Sequence, residues 1–359
     1  MESTSPVWQE PVRGGYPDPR IYTLSGREQV NVFVRGAAPA PPLSRLLGCI
    51  PTAVTDKRCT FTMPVTGWLL GSRGVVPGGL LATLADGAFG LAIQTQVGPA
   101  TRYATAELSM TVLRPVTTES RLLSAIGTAI HVGRSLALAD VTIADDQERL
   151  IAHGTSRCSV FPPTGAEPGP YQDEPQSRAS ATMESPDPYL RDPEGTVLPA
   201  EIWAARSGLE IMRSLVSGDL PAPPIQRLTG MAPTVAEPGH CTFALPATEW
   251  LNSPAARLQG GVTAWLAESA MRGAVETVAP AGTGVAAVDM KVNFLRPIAS
   301  DGGTLIAHGT VVHRGRTLVI ATAEVLDSKG RVAAVATGSS MLVARGSRSG
   351  DSDSTAVGR

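Results

Sequence analysis

VPGGLLATLADGAFG (residues 76–90) and LQGGVTAWLAESAMRG (residues 258–273) are the stretches from which this chain is read most directly. Each opens on a Gly-Gly pair and continues as an apolar run with one acid inside it, Asp86 in the first and Glu268 in the second. A run that is apolar on nearly every side is a helix buried on nearly every side. The pattern predicts long helices over 79–96 and 261–278. An unpaired carboxylate is costly to bury, so the acids need a reason to be there.

Working outward, the sequence repeats itself. At an offset of 182 residues, the step from Gly78 to Gly260, it aligns with itself without a gap from about Ser25 to Val160. APAPPLSRLLG (38–48) lies on LPAPPIQRLTG (220–230), and CTFTMPVTGWL (59–69) on CTFALPATEWL (241–251). HVGRSL (131–136) lies on HRGRTL (313–318). The period is far too long for a solenoid, so a whole domain has been duplicated. Each copy begins with a Ser-x-x-Glu capping box, Ser25 with Glu28 and Ser207 with Glu210, predicting a short helix that ends near Gly36 or Gly218. Runs rich in β-branched residues predict one strand before the long helix and four after it. In the first copy these four fall near 104–113, 120–131, 135–145 and 149–160. The expected fold class is α+β: in each copy, five antiparallel strands wrap one long helix. The expected divisions are an N-terminal arm (1–24), a first domain (25–161), a Pro-rich linker (162–198), a second domain (199–345) and a disordered tail (346–359).

Composition narrows the function. The 359 residues are 43% hydrophobic and 17% charged, with a net charge of −2, which fits a globular chain with a sizeable core. No basic patch suggests nucleic acid, and the longest apolar stretch is too short and too punctuated for a membrane span. Cys49, Cys59, Cys158 and Cys241 form no CxxC pair, so neither a metal site nor a disulfide framework is expected. The opening MESTSPVWQEPVRGG lacks the basic and apolar regions of a signal peptide. The expected location is the cytoplasm.

The Gly-Gly pair followed by Leu-Ala-Asp or Leu-Ala-Glu resembles the signature of the PaaI-like acyl-CoA thioesterases. VDMKVNFLRP with HRGRTLVIATAEVLDSKGRVAAVATG resembles the strand portion of the same family. The resemblance covers nearly all of both copies and implies a double hotdog, in which each sheet wraps its central helix. It implies hydrolysis of an acyl-CoA thioester to free acid and coenzyme A. No metal or redox cofactor is implied, coenzyme A being part of the substrate. A homo-oligomer of double-hotdog units is left open.

Thioester hydrolysis requires stabilisation of a developing oxyanion and activation of an attacking group. Gly78-Gly79 and Gly260-Gly261 sit at helix N-termini, where backbone N–H groups lack intrahelical partners. Glycine also lets a carbonyl come close. They are candidate oxyanion holes; the alternative is a tight turn into the helix. Asp86 and Glu268 are candidate acids; the alternative is a solvated helix stripe. Gly79 and Asp86 are seven residues apart, about 10 Å along an axis, so one carbonyl cannot sit against both. An antiparallel second helix would pair Gly78-Gly79 with Glu268, and Gly260-Gly261 with Asp86, and the resemblance implies the same arrangement.

The family's histidine before Gly-Gly is absent: Pro77 stands there in the first copy and Gln259 in the second. Gln259 keeps a side-chain donor and Pro77 has none, so the Asp86 site is expected to dominate. Asn252 is a candidate for orienting the thioester, a turn role being the alternative. Arg134 and Arg316 are candidates for the coenzyme A phosphates, with a solvated hairpin the alternative. Trp265 and Met271 either narrow a pocket or belong to the core. The rival function is a non-catalytic acyl-CoA-binding hotdog protein. A hotdog hydratase would need an Asp/His pair at the central helix, which is absent here.

Overall fold

A computed structural model describes residues 5–165, 169–173 and 185–344; the tail expected from residue 346 lies outside the described residues. The first copy contains helices α1 (Gly26–Val34), α2 (Pro42–Leu47) and α3 (Gly78–Gln94). Its strands are β1 (Ile50–Val54), β2 (Arg58–Pro64), β3 (Arg102–Val112), β4 (Leu122–Val132), β5 (Leu136–Asp145) and β6 (Leu150–Phe161). The second copy contains α4 (Ala200–Ala205), α5 (Gly208–Ser217), α6 (Pro224–Thr229) and α7 (Gly260–Glu276). Its strands are β7 (Ala232–Glu237), β8 (His240–Pro246), β9 (Thr283–Phe294), β10 (Thr304–Arg314), β11 (Leu318–Leu326) and β12 (Val332–Ala344). Both capping boxes close: Ser25 and Ser207 each accept from the Glu at N3 and receive its carboxylate in return.

The copies share one antiparallel 12-stranded sheet, in the order β1-β2-β4-β5-β6-β3-β9-β12-β11-β10-β8-β7. They join where β3 pairs with β9 and Ser109 faces Lys291. Those two residues are repeat equivalents, so a pseudo-twofold axis passes between them. The sheet curls around α3 and α7, whose Leu80, Leu81, Leu84, Val262 and Leu266 are fully enclosed.

The curl brings strand backbone against helix backbone, and glycine permits it. A Cβ on Gly127 of β4 would lie 2.3 Å from the Ala88 carbonyl oxygen of α3, and one on Gly309 of β10 would lie 2.0 Å from that of Ala270 in α7. The two positions are repeat equivalents.

Among the described residues each copy has six strands, not five. The unexpected ones, β1 and β7, contain Pro51 and Pro233 and bulge beside them. A proline within an apolar run argues against a central strand, and both segments are the outermost strands of the sheet.

The arm and the linker also differ from expectation. Within the linker, residues 166–168 and 174–184 lie outside the described residues, but from Ser185 the chain is built into the fold. Trp68 of the first copy donates its indole N–H to the Arg191 carbonyl at 3.0 Å. Its repeat equivalent Trp250 donates to the Glu10 carbonyl at 3.1 Å. Tyr189 sits against Gly48, and Trp8 against the equivalent Gly230. Each copy therefore starts with an arm that crosses to the other copy. Arg191 pairs with Glu10 at 2.7 Å where the arms meet.

Filling the helix-facing notch should disturb the whole assembly. Gly127→Ala is expected to lower stability by about 1–3 kcal/mol, the usual cost of overpacking, read as a reduced urea midpoint. An unchanged midpoint would mean that the sheet can lift off α3 freely.

Candidate active site

The two central helices run antiparallel and touch near their N-termini. A Cβ on Gly79 would lie 2.8 Å from the Trp265 Cα, and one on Gly261 would lie 2.5 Å from the Thr83 Cα. This approach sets the first turn of each helix against the acid-bearing turn of the other.

At one crossing, the Gly261 N–H donates to Asp86 Oδ2 at 3.0 Å, and the Thr105 hydroxyl donates to Asp86 Oδ1 at 3.0 Å. Asp86 is buried, 9% exposed, so it is not on a solvated stripe. Burial pushes its carboxyl above the ordinary carboxylate range, opposed by the Gly261 and Thr105 hydrogen bonds. Gly260 lies alongside: a Cβ there would be 3.3 Å from Asp86 Oδ2. Gln259 reaches across to the facing helix and donates Nε2 to the Thr83 carbonyl at 3.1 Å, leaving its Oε1 buried without a partner.

At the other crossing, Glu268 faces Gly78 and Gly79 and is 4% exposed. Neither of its oxygens has a hydrogen-bond partner. Burial pushes this carboxyl up too, opposed by Arg272 and by the Gly79 N–H, which faces it without closing a hydrogen bond. Arg272 Nε stands 3.7 Å from Glu268 Oε1. Pro77 precedes the glycines and caps the helix with no side-chain hydrogen bond. Thr105 has Ala287 as its repeat equivalent, so Glu268 has lost that hydroxyl.

Residues 73–152 and 257–334 each match the thioesterase superfamily. The two repeats thus each carry a match to the thioesterase superfamily, at equivalent places in the tandem. No curated protein sequence matches the chain. Solved structures resemble it over most of its length. A thioesterase of Novosphingobium aromaticivorans, described as putative, is 15% identical at a TM-score of 0.51, covering 81% of this chain and 97% of its own. The tesB protein of Mycobacterium avium subspecies paratuberculosis is 14% identical at 0.51, with 84% and 97% covered. A hot dog fold protein of unknown function from Alicyclobacillus acidocaldarius is 13% identical at 0.51, with 85% and 99% covered. At such identities the likeness shows the fold: a tandem hotdog.

The remaining candidates fall in different places on this tandem hotdog scaffold. Asn252 is buried, and its Nδ2 donates to the Tyr16 hydroxyl at 2.8 Å, so its amide ties the N-terminal arm to the loop leading into Gln259. Arg134 and Arg316 are exposed at the β4–β5 and β10–β11 hairpins. The Ser135 carbonyl beside Arg134 accepts from Val160, two residues along β6 from Cys158, which pairs with Thr105. Arg134 therefore stands toward the sheet end that carries Thr105. Trp265 and Met271 are core residues, 1% and 4% exposed. The four cysteines are free and buried, with thiols pushed up to about 12 by burial. Among the described residues, no helix is long and apolar enough to cross a membrane.

Sequence reasoning missed Thr105 and Arg272. Thr105 is an ordinary strand residue until the fold brings β3 to α3. Arg272 was visible as a cation one turn after Glu268 in an apolar helix, a spacing that brings side chains together.

The unpartnered Glu268 carboxylate should cost stability. In the unfolded chain it releases its proton near the usual glutamate value of about 4.3, and in the fold it does so higher. Stability therefore falls as pH rises from the unfolded value through the folded one, and stays lowered above it. Glu268→Gln should raise the unfolding midpoint at neutral pH and flatten that pH dependence. A midpoint lowered at neutral pH would show that the carboxylate is stabilised where it sits.

Proposed function

We propose that this protein hydrolyses an acyl-CoA thioester to the free acid and coenzyme A, chiefly at the site made by Asp86 and Gln259-Gly260-Gly261. The observation that carries the reading is the Asp86 carboxylate, buried and hydrogen-bonded at the amide-bearing N-terminus of the facing helix. A carboxyl raised by burial is a stronger base than a solvated one. The amides of a helix first turn offer donors to an oxyanion. The Gly261 amide is engaged by Asp86, so the Gly260 amide and the second hydrogen of the Gln259 amide are the donors left for the thioester oxygen.

In this scheme Asp86 takes a proton from water, and the hydroxide attacks the carbonyl carbon. The carbonyl electrons move to the oxygen held by Gly260, the C–S bond breaks, and the proton passes to the departing thiolate. Direct attack by Asp86, followed by hydrolysis of the resulting anhydride, uses the same contacts. Thr105 is a positioning residue that fixes the rotamer of Asp86. Arg134 and Arg316 offer cations for the coenzyme A phosphates. The scheme uses no metal or redox cofactor, and the free thiols suit the reducing cytoplasm.

The Glu268 site has lost the donor at Pro77 and the hydroxyl at Ala287, so it contributes less. Thiol release from a panel of acyl-CoAs tests the reading. Asp86→Asn is expected to cut turnover about 10²–10⁴-fold with the fold intact. Gln259→Ala should cost about 10²–10³-fold, and Glu268→Gln much less than either. Wild-type turnover in folded Asp86→Asn excludes the assignment, and a dominant loss at Glu268 reverses the ranking of the sites.

A further inference from the structure

The two copies differ in the loop that leads into each Gly-Gly turn. In the second copy this loop is a small hairpin. Asn252 bridges Leu258, the Ser253 N–H donates to the Arg257 carbonyl at 2.9 Å, and the Gln259 N–H donates to the Leu251 carbonyl at 3.2 Å. In the first copy the Gly71 N–H donates to the Val75 carbonyl at 3.0 Å in the same way, but Pro77 has no N–H to offer Leu69.

The side chains over the loops differ more. Gly14 and Gly195 occupy matching places in the two arms, since a Cβ on either would meet the carbonyl oxygen of an equivalent residue, Ala40 or Ala222. Two residues further on, Tyr16 and Val197 therefore correspond. Val197 packs over the first copy's loop, with its Cγ1 3.1 Å from a Cβ placed on Gly74, and that loop carries Leu70 where the other carries Asn252. Tyr16 instead accepts a hydrogen bond of 2.8 Å from Asn252 Nδ2. An apolar pair in one copy is a polar pair in the other. Asn252 is 2% exposed, and its Oδ1 is buried without a partner. A buried amide costs stability that a leucine does not, and breaking a local rule in this way is characteristic of functional sites. The loop that Asn252 anchors runs straight into Gln259, whose Nε2 crosses to the Thr83 carbonyl, and Gly261, whose N–H reaches Asp86.

We propose that Tyr16, carried over by the N-terminal arm, is a positioning residue for the Asp86 site. By holding the Asn252 amide it fixes the loop that places the Gln259-Gly260-Gly261 turn against Asp86. The Glu268 site, with Val197 and Leu70 in the corresponding places, has no such clamp. The inference deepens the hydrolytic reading and rests on it for its kinetic consequence, though not for its structural one.

Hydrogen exchange and turnover of the full chain test it together. Tyr16→Phe keeps the ring and removes the hydroxyl. It should speed backbone exchange across residues 252–262 about tenfold, the effect of losing one buried hydrogen bond, and leave the equivalent residues 70–80 unchanged. In thiol release it should lower kcat about tenfold with KM unchanged, and add no further loss in a Gln259→Ala background, because both act through the same side chain. Tyr16→Val combined with Asn252→Leu installs the other copy's apolar pair; this variant should fold and still fall short of wild-type turnover. The proposal is overturned by unchanged exchange at 252–262, by exchange that rises equally at 70–80, by losses in Tyr16→Phe and Gln259→Ala that multiply, or by wild-type turnover in the apolar double variant. A wild type that releases no thiol removes the hydrolytic reading, and the exchange comparison then decides the role of Tyr16 by itself.

Discussion

The contact between the first turns of the two central helices governs the rest of the molecule. Gly79 rests on the backbone of Trp265, and Gly261 on that of Thr83, at distances that leave no room for a side chain. Only glycine allows two helices to meet so closely there. Given that contact and the antiparallel sense, each acid falls opposite the other helix's amide-bearing turn. The sheet must then close over both helices at once, and it does so through the β3–β9 junction on the same pseudo-twofold axis. Neither copy holds a complete site, and neither could bury its long helix as well alone.

Duplication within one chain relaxes the symmetry that a homodimer would impose. In the first copy the acid-bearing helix reads Asp86, Gly90, Gln94; in the second it reads Glu268, Arg272, Glu276 at equivalent positions. The first series is nearly uncharged beyond its acid, and that acid is satisfied by Gly261 and Thr105. The second is a ladder of alternating charge, tied at its far end to Arg73 of the first copy, whose guanidinium also lies 3.6 Å from the Trp203 ring centroid. Breaking a buried pair such as Arg73–Glu276 costs far more than replacing it with apolar groups. One pseudo-equivalent site is hydrogen-bonded through its acid, and the other leaves its acid without a hydrogen bond.

The exchanged arms show where the sequence was hard to read. The repeat is plain from Ser25 to Val160, where matching core positions keep it legible. It fades in the arms, whose pairing with the opposite copy rests on a few contacts to backbone: Trp68 to Arg191, Trp250 to Glu10. A backbone carbonyl accepts a hydrogen bond whatever side chain it carries, so the sequence there is free to drift. Pro- and Ser-rich composition then looks like a spacer, although the part from Ser185 onward is a docked arm. β1 and β7 were missed for a related reason, since proline is excluded from a central strand and tolerated at an edge.

Periodicity, the capping boxes and the exact offset pointed to duplicated α+β domains and to two long apolar helices carrying Asp86 and Glu268; the cross-pairing of those acids with Gly-Gly turns was an expectation that needed an antiparallel second helix, which the family resemblance also implied. These properties follow from local chemistry and from helix rise, which act over a few residues and leave their mark in the sequence. The tertiary structure alone decided which groups complete each site. Thr105 on Asp86, Gln259 on Thr83, and Asn252 turned to Tyr16 are meetings of residues far apart in the chain. A side chain's partner, exposure and proton affinity depend on what the fold places within a few ångströms of it, and no spacing along the chain encodes that.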